Sequence, residues 1–141
     1  MSDVIISAKA HSANPTKTVV KTRTFEMIID EPRGTNEGAS PVEYLLASLA
    51  GCLNAMGHMV AREMNINLRG IEIQLKGKLN PDKSSGKETS DRAGYKEISV
   101  EISPDTDADR ETLDKWLETV ESRCPVSDTL NKPTPVQIKL K

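Results

Sequence analysis

The sequence has few aromatic residues, histidines and cysteines. In 141 residues it has only one Trp, one Phe, two Tyr, two His and two Cys. There is no Cys-x-x-Cys pair, no glycine-rich phosphate loop and no Gly-x-Ser-x-Gly nucleophile elbow. Because His11 and His58 have no ligand spacing, the sequence predicts neither a metal site nor a cofactor.

Charge is also too balanced to indicate an anionic partner. The net charge is −2, acidic and basic residues are interspersed, and no basic stripe suggests nucleic-acid binding.

The N-terminus lacks the basic and apolar regions of a signal peptide. The uncharged run 44–61 is near the length of a membrane span, but its small and polar residues favour a buried helix. We therefore predict a cytoplasmic protein with no membrane association.

The hydrophobic pattern predicts a single α+β domain over residues 1–141 in the order β-β-α-β-β-α-α-β, with the second strand either continuous or split. Helices are predicted from Ser40 to about Met64, from a cap at Asp105 or Thr106, and from Cys124 to about Asn131. The strands are predicted over 4–10, 18–29, 69–79, 95–103 and 136–140.

The first helix carries the strongest local signals. Ser40 is a good N-cap, Pro41 suits the first helical position, and Glu43 completes a capping box. The rest of the helix is apolar or small on every side, which predicts burial on every side. Since so short a chain has few elements to cover it, we infer that a second copy does so in a homodimer.

Arg23 lies among apolar residues in the alternating pattern of 18–29. An inward-pointing arginine needs a partner, because an unpaired buried charge is costly. Alternatively, the strand is exposed at this edge and the guanidinium reaches the solvent.

Cys52 and Cys124 are the only residues equipped for covalent chemistry. Cys124 precedes Pro125 at a predicted helix start, whereas Cys52 lies in apolar company, which raises a thiol pKa. Cys52 therefore needs a nearby cation to act as a nucleophile, and Arg23, held by Glu43, is one candidate. The alternative is that Cys52 is a small buried hydrophobe. Acyl transfer would need a histidine base, and neither histidine is placed for that role.

Two segments carry a family resemblance. Residues 40–52 read SPVEYLLASLAGC, with a cysteine eleven positions after the proline, and residues 123–126 read RCPV. This paired motif resembles the OsmC/Ohr family of osmotically inducible and organic hydroperoxide resistance proteins, and the element order is similar across essentially the whole chain.

The resemblance implies an OsmC-like fold, β(2-3)-α-β2-α2-β, in an intertwined homodimer with long central helices and active sites at the subunit interface. It also implies a thiol-dependent peroxidase for organic, lipid-type hydroperoxides. By position, Cys52 is the peroxidatic cysteine and Cys124 the resolving one. A dithiol of the dihydrolipoyl type then reduces their disulfide.

The sequence departs from the peroxidase members at two places. The glutamate that directly follows the proline is replaced by Val42, and Glu43 lies one position later, roughly 100° around the helix. The family's arginine has no secure counterpart: Arg23 is our assignment, with Lys17 and Arg33 as alternatives. The pattern resembles a less characterised OsmC-like branch. The alternative function is a non-catalytic protein that binds an apolar small molecule at the dimer interface or senses redox state.

Overall fold

The computed structural model describes residues 2–141, and the chain forms two compact units, Met1–Leu45 and Leu46–Lys141. The boundary between them falls inside the first helix. The elements in chain order are β1 (Lys9–Ser12), β2 (Thr18–Thr22), β3 (Phe25–Ile29), α1 (Pro41–Glu63), β4 (Leu68–Lys78), β5 (Glu97–Thr106), α2 (Arg110–Arg123) and α3 (Pro125–Asn131). The predicted α+β class is confirmed.

The first unit contains an antiparallel sheet in the order β1-β2-β3. The predicted stretch 18–29 is split, because Thr22 pairs with Phe25 and leaves a two-residue turn between them. Arg23 lies in this turn with a φ of 53° and is exposed. Its guanidinium lies over the Phe25 ring, 4.9 Å from the centroid. The prediction that Arg23 shares an inward strand face is therefore wrong, since a turn interrupts the alternation.

Asp30, at the end of β3, organises the loop that follows. Its carboxylate is fully buried and accepts hydrogen bonds from the Glu31 N–H at 2.8 Å, the Glu37 N–H at 3.1 Å and the Thr35 hydroxyl. Burial alone would raise the pKa of this carboxyl, but the hydrogen bonds, with a further one from Thr16, hold it far below its usual range. A buried anion satisfied in this way fixes the path of the loop.

Helix α1 begins as predicted. The Ser40 N–H donates to the Glu43 carboxylate at 2.8 Å, and the Glu43 N–H donates to Ser40 Oγ at 3.3 Å, which completes the capping box. Within the same unit, the Tyr44 hydroxyl donates to the Ile28 carbonyl at 2.8 Å. These bonds fix the point at which the long helix starts.

The same helix is not buried on every side of the single chain. The side chains of Leu45 and Met59 are each 42% exposed. By length and composition α1 could cross a membrane, a property that the core helix of a soluble protein shares. One chain therefore leaves part of α1 uncovered, and the predicted cover by a second copy stays a prediction. The buried residues of α1 are Leu49, Leu53, Gly57, Val60 and Ala61.

In the second unit, β4 and β5 form one antiparallel hairpin, joined by the polar segment 79–96. Their alternate side chains pack against the core from Ile71 to Leu75 and from Ile98 to Ile102. Strand β5 continues to Thr106, so the N-cap of α2 is Asp109, whose side chain accepts the Thr112 N–H at 2.8 Å. The predicted cap at 105 or 106 is wrong because those residues still pair with β4.

The core of the second unit forms where α2 crosses α1. Trp116 and Val120, which are 2% and 0% exposed, lie on the predicted inner face of α2. The Trp116 indole N–H donates to the Gly57 carbonyl at 2.8 Å. A Cβ at Gly57 would lie 2.7 Å from Ile71 Cδ1 and 3.1 Å from Trp116 Cζ2, so a larger residue would force these side chains to shift.

Both ends of the chain depart from the predicted strands. Strand β1 begins at Lys9 rather than at Val4, and residues 133–141 have no regular secondary structure. The strand predicted over 136–140 is therefore wrong for the part of the chain that the structure describes, in which no strand pairs with these residues. Six apolar side chains in these ends are 77–101% exposed: Val4, Ile5, Ile6, Val136, Ile138 and Leu140.

Candidate active site at the two cysteines

The structure brings the two cysteines together. Cys52 lies in the middle of α1 and Cys124 between α2 and α3, and their sulfur atoms are 2.7 Å apart. Both are free thiols. A disulfide requires a sulfur–sulfur distance of about 2.05 Å, so only a small movement would allow the bond to form.

Cys124 owes its position to the junction of two helices. Its backbone N–H donates to the Glu121 carbonyl at the end of α2, and its sulfur accepts the Ser127 N–H at 3.4 Å in the first turn of α3. Pro125 occupies the first turn, where a missing N–H has no cost. The predicted helix start at Cys124 is confirmed, and the cysteine is 0% exposed.

Cys52 is less enclosed than Cys124, since its side chain is only partly buried. Burial nevertheless raises the pKa of its thiol above the ordinary value of 9.0, and the hydrogen bond with the Cys124 thiol raises it further. A hydrogen bond from the Val126 backbone N–H acts in the opposite direction. Within its own unit, Cys52 is therefore held mainly as a thiol at neutral pH.

Arg123, the nearest cation to Cys124 in sequence, is engaged elsewhere. Its guanidinium donates to both carboxylate oxygens of Glu63, at 2.6 and 3.1 Å, and to Met59 Sδ at 3.3 Å. The hydrogen bond from Arg123 lowers the pKa of Glu63. This clamp joins the end of α1 to the end of α2. Sequence reasoning missed it, although Glu63 is the first acidic residue after the uncharged run.

Glu43 and Arg23, the proposed activators of Cys52, have local roles in the first unit. Glu43 caps α1, and hydrogen bonds from Ser40 lower the pKa of its carboxyl. Arg23 lies over Phe25. The ion pairs of residues 2–141 include none between Arg23 and Glu43. The role of both residues in activating Cys52 stays a prediction.

The two alternative cations also lie in the first unit. Lys17 is half-buried and pairs with Glu37 at 3.2 Å, whereas Arg33 lies exposed in the loop that follows β3. Lys17 is therefore the more firmly held of the two. Over the part of the chain that the structure describes, no three His, Cys, Asp or Glu residues are grouped to hold a metal ion.

Comparison with known proteins places the chain in a family. The family model for OsmC-like protein matches residues 34–139, which include both cysteines. The chain belongs to the OsmC family. A hydroperoxide reductase of Mycoplasma genitalium is 25% identical to this OsmC-family chain over 117 residues, 82% of this chain and 79% of the relative.

Solved structures share the fold. An OsmC-like protein from Mycoplasma pneumoniae has a TM-score of 0.81 at 21% identity, covering 92% of this chain and 89% of that one. The organic hydroperoxide resistance protein OhrB of Bacillus subtilis has a TM-score of 0.60 at 23% identity, covering 89% of each chain. These structures confirm the OsmC-like fold. The family and its named relatives support a role in redox chemistry or peroxide resistance.

Proposed function

We propose that this OsmC-family protein is a thiol-dependent peroxidase that reduces organic hydroperoxides through Cys52 and Cys124. The observation that carries the proposal is the 2.7 Å separation of the two sulfur atoms, which come from residues 72 positions apart.

In the proposed reaction the Cys52 thiolate attacks the distal oxygen of the hydroperoxide. The O–O bond breaks, the alkoxide leaves and takes up a proton from water to become the alcohol, and Cys52 becomes a sulfenic acid. The Cys124 sulfur then attacks the Cys52 sulfur and displaces hydroxide, which leaves as water. The thiols have lost two electrons and the peroxide has gained them. A dithiol of the dihydrolipoyl type restores both thiols by exchange.

The raised pKa of Cys52 indicates that the active enzyme needs a positive charge beside this sulfur. We propose that Arg23 supplies the charge and that Glu43 orients it, with Lys17 or Arg33 as alternatives. The reaction is proposed for the cytoplasm, where reductants keep cysteines as thiols.

A single-turnover experiment tests the chemistry. Addition of one equivalent of cumene hydroperoxide to the fully reduced protein is expected to remove both titratable thiols of each subunit, because the sulfenic acid condenses at once with its neighbour. Peptide mass spectrometry should then find the segment containing Cys52 linked to the segment containing Cys124. Thiols that survive a several-fold excess of peroxide would contradict the proposal.

We also propose that the working protein is a homodimer. The single subunit leaves apolar side chains exposed at both chain ends and on α1, where Leu45 and Met59 are 42% exposed. A second copy that covered these side chains would remove their apolar surface from water, which favours association. Light scattering coupled to size exclusion should give twice the 15.5 kDa mass of one chain at micromolar concentration. A monomer at that concentration would exclude the stable dimer.

A second candidate function is a slow redox sensor or a non-catalytic protein that binds an apolar small molecule at the dimer interface. The raised pKa of Cys52 favours it, because a thiol held protonated reacts slowly with peroxide. The rate of the single turnover separates the two: completion within seconds supports the enzyme, whereas completion over hours supports the sensor. An apolar molecule that copurifies and is seen by native mass spectrometry would support the binding protein.

A further inference from the structure

The two sulfur atoms differ in their access from solvent. Cys124 is 0% exposed at the junction of α2 and α3, whereas Cys52 is partly exposed. The difference keeps peroxide away from Cys124. It bears on the later step, in which an external dithiol must reach one of two bonded sulfurs, and the inference below therefore rests on the proposed function.

In thiol–disulfide exchange the two sulfurs of the disulfide have different roles. The attacking thiolate approaches one sulfur, and the other sulfur departs with the electron pair of the broken bond. The sulfur under attack must therefore be reachable from solvent, whereas the departing one need not be. Since the sulfur atoms are already 2.7 Å apart, closing the disulfide leaves Cys124 enclosed and Cys52 on the accessible side.

The departing sulfur also has a hydrogen-bond donor in place. Cys124 Sγ accepts the Ser127 N–H at 3.4 Å, and this bond is strengthened when the sulfur carries a negative charge. A leaving thiol that is stabilised as thiolate leaves faster. Cys52 has a comparable donor in the Val126 N–H, so these bonds do not distinguish the two sulfurs. The assignment, in which Cys124 departs, rests on the exclusion of Cys124 from solvent.

We infer that the reductant attacks Cys52 and that the mixed disulfide forms on Cys52 alone. One thiolate of the dithiol bonds to Cys52 Sγ, the Cys52–Cys124 bond breaks, and Cys124 leaves as a thiolate that takes up a proton. The second thiolate of the dithiol then attacks its own mixed-disulfide sulfur and releases Cys52 as thiolate. The dithiol ends as a cyclic disulfide and has lost the two electrons that the protein gains.

A monothiol probe tests this assignment, because it stops at the mixed disulfide. The wild-type protein is oxidised with diamide, which needs no peroxidase activity, treated briefly with limiting cysteamine, quenched in acid, and alkylated. Trypsin cleavage after Arg33, Arg62 and Arg123 places the two cysteines on separate peptides. Cysteamine is expected on the Cys52 peptide and the alkyl group on the Cys124 peptide, with about a tenfold or greater excess over the reverse.

Matched single-cysteine variants control for intrinsic access. Cystamine should modify Cys52 in Cys124→Ser much faster than it modifies Cys124 in Cys52→Ser, with both folded variants verified by circular dichroism. Equal labelling of the two peptides, or an excess on Cys124, would overturn the inference while leaving the peroxidase proposal intact. Failure of diamide to form the disulfide at all would overturn both.

Discussion

Cys52→Ser is expected to abolish dithiol-dependent consumption of cumene hydroperoxide, with a loss on the order of 10³-fold or more. The reason is that a serine hydroxyl at this position cannot attack the peroxide oxygen, and the partner sulfur is 0% exposed at the α2–α3 junction. Cys124 therefore cannot substitute as the attacking group. The measurement is a colorimetric peroxide assay with dihydrolipoic acid in excess.

Cys124→Ser provides the matched control for this result. Its Cys52 should still reduce one equivalent of peroxide, because the attacking sulfur is retained. Without the neighbouring sulfur, the sulfenic acid cannot condense, and repeated peroxide additions should carry it to the sulfinic and sulfonic acids. Intact mass spectrometry would show these added oxygens. If wild type and Cys52→Ser consume peroxide at the same low rate, the peroxidase proposal fails.

Some parts of the fold could be predicted because their signals are local. The start of α1 depends on Ser40, Pro41 and Glu43, which lie within four positions of one another. Ser40 and Glu43 satisfy each other's backbone N–H groups, and Pro41 suits the first helical position. The buried face of α2 could also be predicted from the sequence, because Trp116 and Val120 follow the helical period. Signals that are complete within one turn of helix do not depend on the rest of the chain.

Other parts could not be predicted, because they depend on a backbone turn or on pairing with a distant segment of the chain. Arg23 continues a period-two pattern in the sequence, yet a tight turn between Thr22 and Phe25 removes it from either strand face. The apolar pattern of 136–140 predicts a strand, but among residues 2–141 no strand pairs with it. Periodicity alone reports neither a two-residue turn nor the presence of a pairing edge.

The candidate site also has one part that could be predicted from the sequence and another that could not. Sequence identified both cysteines, and their roles came from a paired motif rather than from spacing. Their 2.7 Å separation depends on how α1, α2 and α3 pack, which no local signal contains. The clamp from Arg123 to Glu63 was missed for the same reason, since it joins residues 60 positions apart. The Asp30 network lies within one loop, whose path hydrophobic periodicity does not report.

The packing that positions the cysteines depends on Trp116, which is 2% exposed and joins α2 to α1. Trp116→Ala is expected to lower the free energy of unfolding by about 3–5 kcal/mol, since it leaves a large cavity and removes the bond to the Gly57 carbonyl. Urea denaturation measures the change, with the denaturant slope expected to stay constant. Loss of α2 packing should also separate Cys124 from Cys52 and slow diamide oxidation.

Two control variants separate volume from hydrogen bonding. Trp116→Phe retains most of the ring volume but loses the indole N–H, and it should cost about 1–2 kcal/mol. Lys115→Ala changes the adjacent exposed residue of α2 and should alter stability by less than about 0.5 kcal/mol. A loss for Trp116→Ala no larger than that for Lys115→Ala would show that this helix contact does not hold the cysteine pair in place.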